Sequence, residues 1–119
     1  MRMLMTTNTT LLLTALGLAA CGGSYPTPTD QYSAAEKEVG RAQESSANVP
    51  DAKLHTQLAQ EDLAKAKALM GGENDRAASL ISRANAEAEL AINLARQAQA
   101  QAQAQQAADA LSKVKGGGQ

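Results

Sequence analysis

The sequence is poor in the residues on which most ligand sites and disulfide-stabilised folds depend. Its 119 residues include one cysteine, one histidine and two tyrosines, with no tryptophan or phenylalanine. A single cysteine cannot form a disulfide within the chain, and His55 without a second histidine cannot build a usual zinc site. Two aromatic side chains nearly exclude stacking on bases or sugar rings. Basic and acidic residues number 11 and 12 and are interspersed, so no basic patch is available for nucleic acid.

The sequence also lacks the residue spacings that catalysis requires. Asp51 and His55 are four residues apart and are expected to form a surface pair on one helix, with His55 in a solvated position. Glu87 and Glu89 are two apart and do not share a helix face, so they are not an acid–base pair. Gly71-Gly72 is not followed by the Lys-Ser/Thr of a phosphate loop, and is interpreted as a turn. We therefore expect no catalytic residue, metal, cofactor or small-molecule substrate.

No apolar run is long enough to cross a bilayer, but a shorter one lies near the start of the chain. Arg2 is followed by a polar stretch and then by apolar residues from 11 to 20. Roughly ten apolar residues fall short of the 20 or so that a spanning helix needs. A basic start, a short apolar middle and small residues at its end are typical of a secretory signal, here residues 1–20. The alternative interpretation is a buried N-terminal helix.

The signal ends in Leu18-Ala19-Ala20-Cys21. This stretch resembles the lipobox of bacterial lipoproteins, with small residues before a cysteine whose sulfur is a strong nucleophile suited to accepting a lipid as a thioether. The resemblance implies that a signal peptidase recognises Leu18, Ala19 and Ala20, and that Cys21 becomes the lipidated first residue of the mature protein. Gly22 follows in place of the Asp that favours inner-membrane retention in enteric bacteria. We expect attachment to the outer membrane, facing the periplasm.

After the cysteine, residues 21–32 are expected to form a flexible tether, because Pro26 and Pro28 favour extended structure. A helical domain is predicted over 33–115 and a disordered tail over 116–119. Ser33 and Glu36 have the spacing of a capping box and predict the start of the first helix. The residues predicted to form its buried face are spaced by three and four and comprise Tyr32, Ala35, Val39, Ala42 and Ser46.

A second helix is predicted from Pro50, which is favourable in a first helical turn, to the Gly71-Gly72 break. Two apolar stripes along it indicate contacts with neighbours on two sides. The first stripe comprises Ala52, Thr56, Ala59, Leu63, Ala66 and Met70. The second comprises Leu54, Leu58 and Leu69. Asn74 or Asp75 is predicted to cap the third helix.

The third helix carries the most regular pattern of the sequence, with small residues repeating at intervals of four and three. We call this pattern the alanine seam, and it comprises Ala77, Ile81, Ala84, Ala88, Ala91, Ala95, Ala98 and Ala102. Alanine and glutamine favour helix over strand, so the helix is predicted to continue through the Ala/Gln-rich stretch to about Lys115. The predicted fold is all-α: a short three-helix up-down-up bundle, or an αα-hairpin with a long Ala-rich C-terminal helix.

The body of the chain, from Ser33 to about Ala98, resembles the DUF4398 family of small bacterial envelope proteins. The resemblance rests on Val49-Pro50-Asp51-Ala52-Lys53-Leu54 at the start of a helix, on Gly71-Gly72-Glu73-Asn74 at a turn, and on the alanine ladder that follows. It implies a lipid-anchored, helical, periplasmic protein. It implies no activity, since none is assigned to the family.

These observations favour a structural or protein-interaction lipoprotein whose seam helices contact an envelope partner or a second copy. The alternative is an accessory or chaperone-like subunit of an envelope assembly or export machine. A Braun-type wall tether shares the lipobox and the heptad helix, but that family ends in a cross-linked lysine and this chain ends in Gln119. Because the alanine seam runs past the end of the predicted hairpin, self-association through Ala95, Ala98 and Ala102 is expected.

Overall fold

The computed structural model describes residues 24–118, which form three α-helices and no strand. The helices are α1 (Thr29–Ser46), α2 (Pro50–Leu69) and α3 (Asn74–Gly117). They run up, down and up; α2 and α3 share the most extensive contact, and α1 packs against both. The predicted all-α bundle with a long C-terminal helix is confirmed. The predicted signal peptide and Cys21 lie outside the described residues.

Helix α1 begins one turn earlier than the capping box predicts. Its N-cap is Pro28, and the first turn closes through a 2.9 Å hydrogen bond from the Tyr32 N–H to the Pro28 carbonyl. Ser33 therefore lies inside the helix, and the predicted tether is too long at its C-terminal end. Glu36 interacts with Tyr32 instead of capping: burial, and then the charge of Glu36 and a hydrogen bond to it, raise the pKa of the Tyr32 phenol.

Three residues connect α1 to α2, and a pair of buried hydroxyls fixes the angle between them. Ser46 ends α1, and its Oγ lies 3.0 Å from Thr56 Oγ1 on α2 in a hydrogen bond. Thr56 also donates to the Ala52 carbonyl, at 2.9 Å. Both side chains are almost fully buried, and the pairing gives each hydroxyl the partner that burial would otherwise remove. Pro50 occupies the first turn of α2, as the sequence predicts.

The turn between α2 and α3 depends on Gly71, whose φ of 91° is unfavourable for any residue with a Cβ. Asn74 was predicted as an N-cap, but the cap position is Glu73, and Asn74 is the first residue of α3. Its side chain instead bridges the turn to the chain before α1. Asn74 Oδ1 accepts from the Gly71 N–H at 2.7 Å, and Nδ2 donates to the Tyr25 carbonyl at 2.9 Å. The start of the described chain and the start of α3 therefore lie at the same end of the bundle.

Alanine dominates the core of the bundle. The fully excluded alanines allow the helix backbones to approach closely, and only a few larger side chains fill the remaining space. The core comprises Ala35, Val39, Ala42, Ala52, Ala59, Leu63, Ala66, Ile81, Ala84, Ala88, Ala91, Ile92 and Ala95. The predicted α1 face and most of the first α2 stripe are thus confirmed. Small side chains at every crossing leave little tolerance for added volume.

The second stripe of α2 is wrong as a packing surface. Leu54 and Leu58 are exposed, and Leu69 is only half-buried. Helix α2 does contact two neighbours, α1 and α3, through its first stripe and the polar residues beside that stripe. Thr56 of that stripe hydrogen-bonds to Ser46 of α1. His55 and Asp62, each one position before a stripe residue, contact α3. The alanine-rich face of α2 can pack against both α1 and α3 because those helices also present small residues to the core.

Helix α3 continues to Gly117, two residues beyond the predicted end at Lys115. The predicted disordered tail, 116–119, is therefore helical at its first two residues, and Gln119 lies outside the described residues. From residue 99 to 118 every residue is exposed. We call residues 99–117 the C-terminal arm; at 1.5 Å per residue it extends about 28 Å.

Candidate functional site

The alanine seam is used within the chain over most of its length. Six of its eight members, from Ala77 to Ala95, are buried. Ala98 is half-buried and Ala102 is exposed. The contact ends where the connection between α1 and α2 reaches α3, because Val49 and Ala98 line the same cleft. Ala95 is therefore not available to a partner while the bundle is folded.

An open cleft lies at this level, where the C-terminal arm leaves the bundle. Its volume is about 530 Å³, and it lies between the end of α1 with the following connection and the middle of α3. The lining residues are Ser45, Asn48, Val49, Ala95, Arg96, Ala98 and Gln99. Small and polar side chains around an open cleft provide little apolar surface and no converging set of ionisable groups, which small-molecule sites normally have.

Two polar pairs join α2 to α3 along one side of the alanine seam, one between a histidine and a carboxylate and one between an arginine and a carboxylate. His55 Nδ1 lies 2.6 Å from Glu87 Oε2, and both side chains are about three-quarters buried. Arg83 Nη2 lies 3.4 Å from the buried carboxylate of Asp62, the Arg83 side chain itself remaining largely exposed. The α2 partner moves back along the chain as the α3 partner moves forward, so the two pairs fix an antiparallel register.

Sequence reasoning missed these pairs. It placed His55 in solvent beside Asp51 and considered Glu87 only with Glu89. All four residues lie one position before a buried residue of a predicted helix face. On α2, His55 precedes Thr56 and Asp62 precedes Leu63; on α3, Arg83 precedes Ala84 and Glu87 precedes Ala88. Flanking positions of a helix seam are where complementary charges meet across an interface. That offset was the signal in the sequence that could have identified them.

The pair of His55 and Glu87 is expected to stabilise the hairpin measurably. In a double-mutant cycle with His55→Ala and Glu87→Ala, we expect a coupling energy of about 1 kcal/mol, between the values typical of exposed pairs and of hydrogen bonds to charged groups. Urea unfolding of the four variants measures it. Glu61 and Lys65 serve as the control, because they are 3.9 Å apart and mostly exposed. Equal coupling in both cycles would contradict a specific role for His55.

The described part of the chain offers few features of other kinds of site. Within residues 24–118 no three His, Cys, Asp or Glu side chains are grouped closely enough to hold a metal ion. Over the same range no helix has the length and apolarity needed to traverse a bilayer. The predicted lipidation and signal-peptidase residues, Leu18, Ala19, Ala20 and Cys21, precede this range. The most distinctive surface that remains is the C-terminal arm.

Comparison with known proteins identifies the body of the chain. A family model described as a domain of unknown function (DUF4398) matches residues 30–107, which is more than half of the chain. The match covers α1, α2, the connections and α3 as far as the middle of the C-terminal arm. No curated protein and no solved structure matches the chain.

Proposed function

Since the chain belongs to the DUF4398 family, we propose a role for it that depends on an anchor at one end and a helix at the other. The protein is a lipid-anchored component of the bacterial envelope, attached through Cys21 and facing the periplasm. It acts as a structural or protein-interaction module and not as an enzyme. The C-terminal arm is its contact surface, and the bundle holds the arm away from the membrane.

The lipid anchor is supported by the sequence before the described residues. Leu18-Ala19-Ala20-Cys21 follows a short apolar run that is preceded by Arg2. Such a run is too short to remain as a spanning helix. One acyl chain binds a membrane weakly, but the two or three chains that bacterial lipoproteins carry provide stable attachment.

The observation that carries the proposal is the hydrogen bond from Asn74 to the Tyr25 carbonyl. It joins the chain before α1 to the first residue of α3. Cys21 is four residues from Tyr25, and that segment spans at most about 14 Å when fully extended. The other end of α3, at Gly117, is about 65 Å from Asn74 along the helix. Tyr25 and the C-terminal arm therefore lie at opposite ends of the described chain, and a lipid on Cys21 would hold the membrane at the end away from the arm.

An interaction role is supported by the exposure of the C-terminal arm as well as by its position. All of its residues are exposed although it is helical and contains Leu111 and Val114. Alanine and glutamine have high helix propensity, so the arm persists as an extension of a helix that the bundle has already nucleated. A preformed helix loses little conformational entropy when it binds, which favours helix–helix recognition.

Protease accessibility in cells tests this orientation. We expect the protein to resist trypsin in intact cells, and to be cut at Lys113 or Lys115 once the outer membrane is permeabilised, with the bundle remaining on the membrane as a stable fragment. The exposed arm opens locally more easily than the packed bundle, so its lysines are cut first. Cleavage in intact cells would indicate the outer surface. Protection until the inner membrane is lysed would indicate the cytoplasm, and either result would contradict the proposal.

A further inference from the structure

The C-terminal arm carries an apolar stripe of its own. Leu111 and Val114 are its two largest apolar side chains, are one helical turn apart and are 56% and 73% exposed. Three alanines extend the same face toward the bundle at intervals of three and four. We call this set the arm stripe, and it comprises Ala100, Ala104, Ala107, Leu111 and Val114. Such spacing over about two heptads is that of a coiled-coil seam.

The arm stripe is not a continuation of the alanine seam. At 3.6 residues per turn, it is centred roughly 140° around α3 from the buried part of the seam. Helices α1 and α2 are connected beside Ala98, and they do not extend along the arm. Within residues 24–118, α1 and α2 therefore do not cover the arm stripe, because they pack on another side of α3 and do not reach the arm.

The charges of the arm are arranged so that two identical stripes can approach each other. Asp109 and Lys113 are four residues apart on the face opposite the stripe. The positions directly beside the stripe are neutral up to Lys115 and comprise Gln101, Gln103, Ala108 and Ala110. A partner of strong charge would find no complementary charge on these flanks. A second copy of the arm meets no like charge over the first two heptads.

We propose that the arm stripe pairs with the arm stripe of a second copy, parallel and in register. The parallel orientation rests on the proposed function, because two molecules anchored in one membrane by the same end have their arms pointing the same way. Three of the five stripe residues are alanines, so the buried area is smaller than that of a stable dimer in solution. Confinement to one membrane raises the effective concentration and makes so small an interface sufficient.

Disulfide trapping in native membranes tests the pairing. The full-length chain with Leu111→Cys is oxidised in isolated envelopes and examined on non-reducing gels. We expect at least five times more homodimer from Leu111→Cys than from Asp109→Cys, which places the thiol two residues away on the opposite face of the same helix. Equal yields from the two variants would overturn the proposal. A cross-link from residue 111 to a protein of different mass, in place of the homodimer, would overturn it as well.

Two further measurements fix the orientation and separate this proposal from the anchor. Co-expressed Leu111→Cys and Ala100→Cys chains would cross-link to each other in an antiparallel pair, whereas parallel pairs give only the two homodimers. A predominant mixed product would overturn the parallel arrangement. The wild-type chain has Cys21 as its only cysteine, and a lipidated Cys21 has no free thiol. A wild-type homodimer would contradict the anchor, whereas the arm is judged by the excess of Leu111→Cys over Asp109→Cys.

Discussion

Replacement of Ala88 by Leu is expected to lower the free energy of unfolding by about 2–3 kcal/mol, the cost of inserting extra methylenes into a well-packed core. Ala88 has no exposed surface and lies in the middle of the alanine seam, where all three helices meet small side chains. A leucine has no space to occupy there unless α3 moves away from its neighbours. For a domain of this size, thermal unfolding followed by circular dichroism should shift down by about 10–20 °C.

The same substitution at Ala102 is the matched control. Ala102 belongs to the same repeat of four and three on the same helix, but it is exposed on the C-terminal arm. Ala102→Leu should therefore change the free energy of unfolding by less than about 0.5 kcal/mol, as is usual for surface positions. Equal destabilisation by the two substitutions would mean that the seam is not buried between Ala77 and Ala95 in the way described.

Replacement of Cys21 by Ala is expected to abolish stable membrane attachment. The thiol is the only group in the chain that can form the thioether. The unprocessed precursor should accumulate, and the processed fraction, if another site is cut, should remain in the soluble periplasmic extract. Flotation of envelopes on a density gradient measures the distribution.

Ser24→Ala provides the control for the Cys21 variant, because it changes the same segment and leaves Leu18-Ala19-Ala20-Cys21 intact. It should float with the membranes and be processed as the wild type is. If Cys21→Ala protein that has lost residues 1–20 also floats after washing at high salt, then the attachment is not through this residue. In that case the geometry of the bundle would still stand, but the direction of the C-terminal arm relative to a membrane would lose its basis.

The helices and most of their buried faces could be predicted because each depends on spacing alone. The repeat of four and three from Ala77 to Ala95 can pack closely only as one face of a helix, and Gly71-Gly72 interrupts the pattern at the turn. The start of α1 could not be predicted in the same way. Ser33 and Glu36 satisfy a capping box, but α1 begins at Thr29 with Pro28 as its N-cap, just after the segment that Asn74 holds through the Tyr25 carbonyl.

The contact surface was harder to predict, because the alanine-rich sequence fits several helix phases. Alanine occurs at almost every second residue between 98 and 104, so the alanine seam appears to continue through Ala98 and Ala102. Whether the alanine seam stays buried there depends on where α1 and α2 end. The sequence of α3 alone does not give those positions. The prediction for Leu54 and Leu58 was wrong for a different reason. Their size suggested burial, but the core of this bundle is packed mainly on alanine, and both leucines are exposed.

The most direct test of the account is the intact mass of the protein isolated from the membranes of its own host. The account predicts a mature chain whose first residue is Cys21, with the thiol hydrogen replaced by a diacylglyceryl group and, where the host adds one, an amide-linked acyl chain. Fragmentation should place all of that mass on the first residue. A mature chain that starts at another residue, or that starts at Cys21 without acyl mass, would contradict the anchor and with it the proposed role.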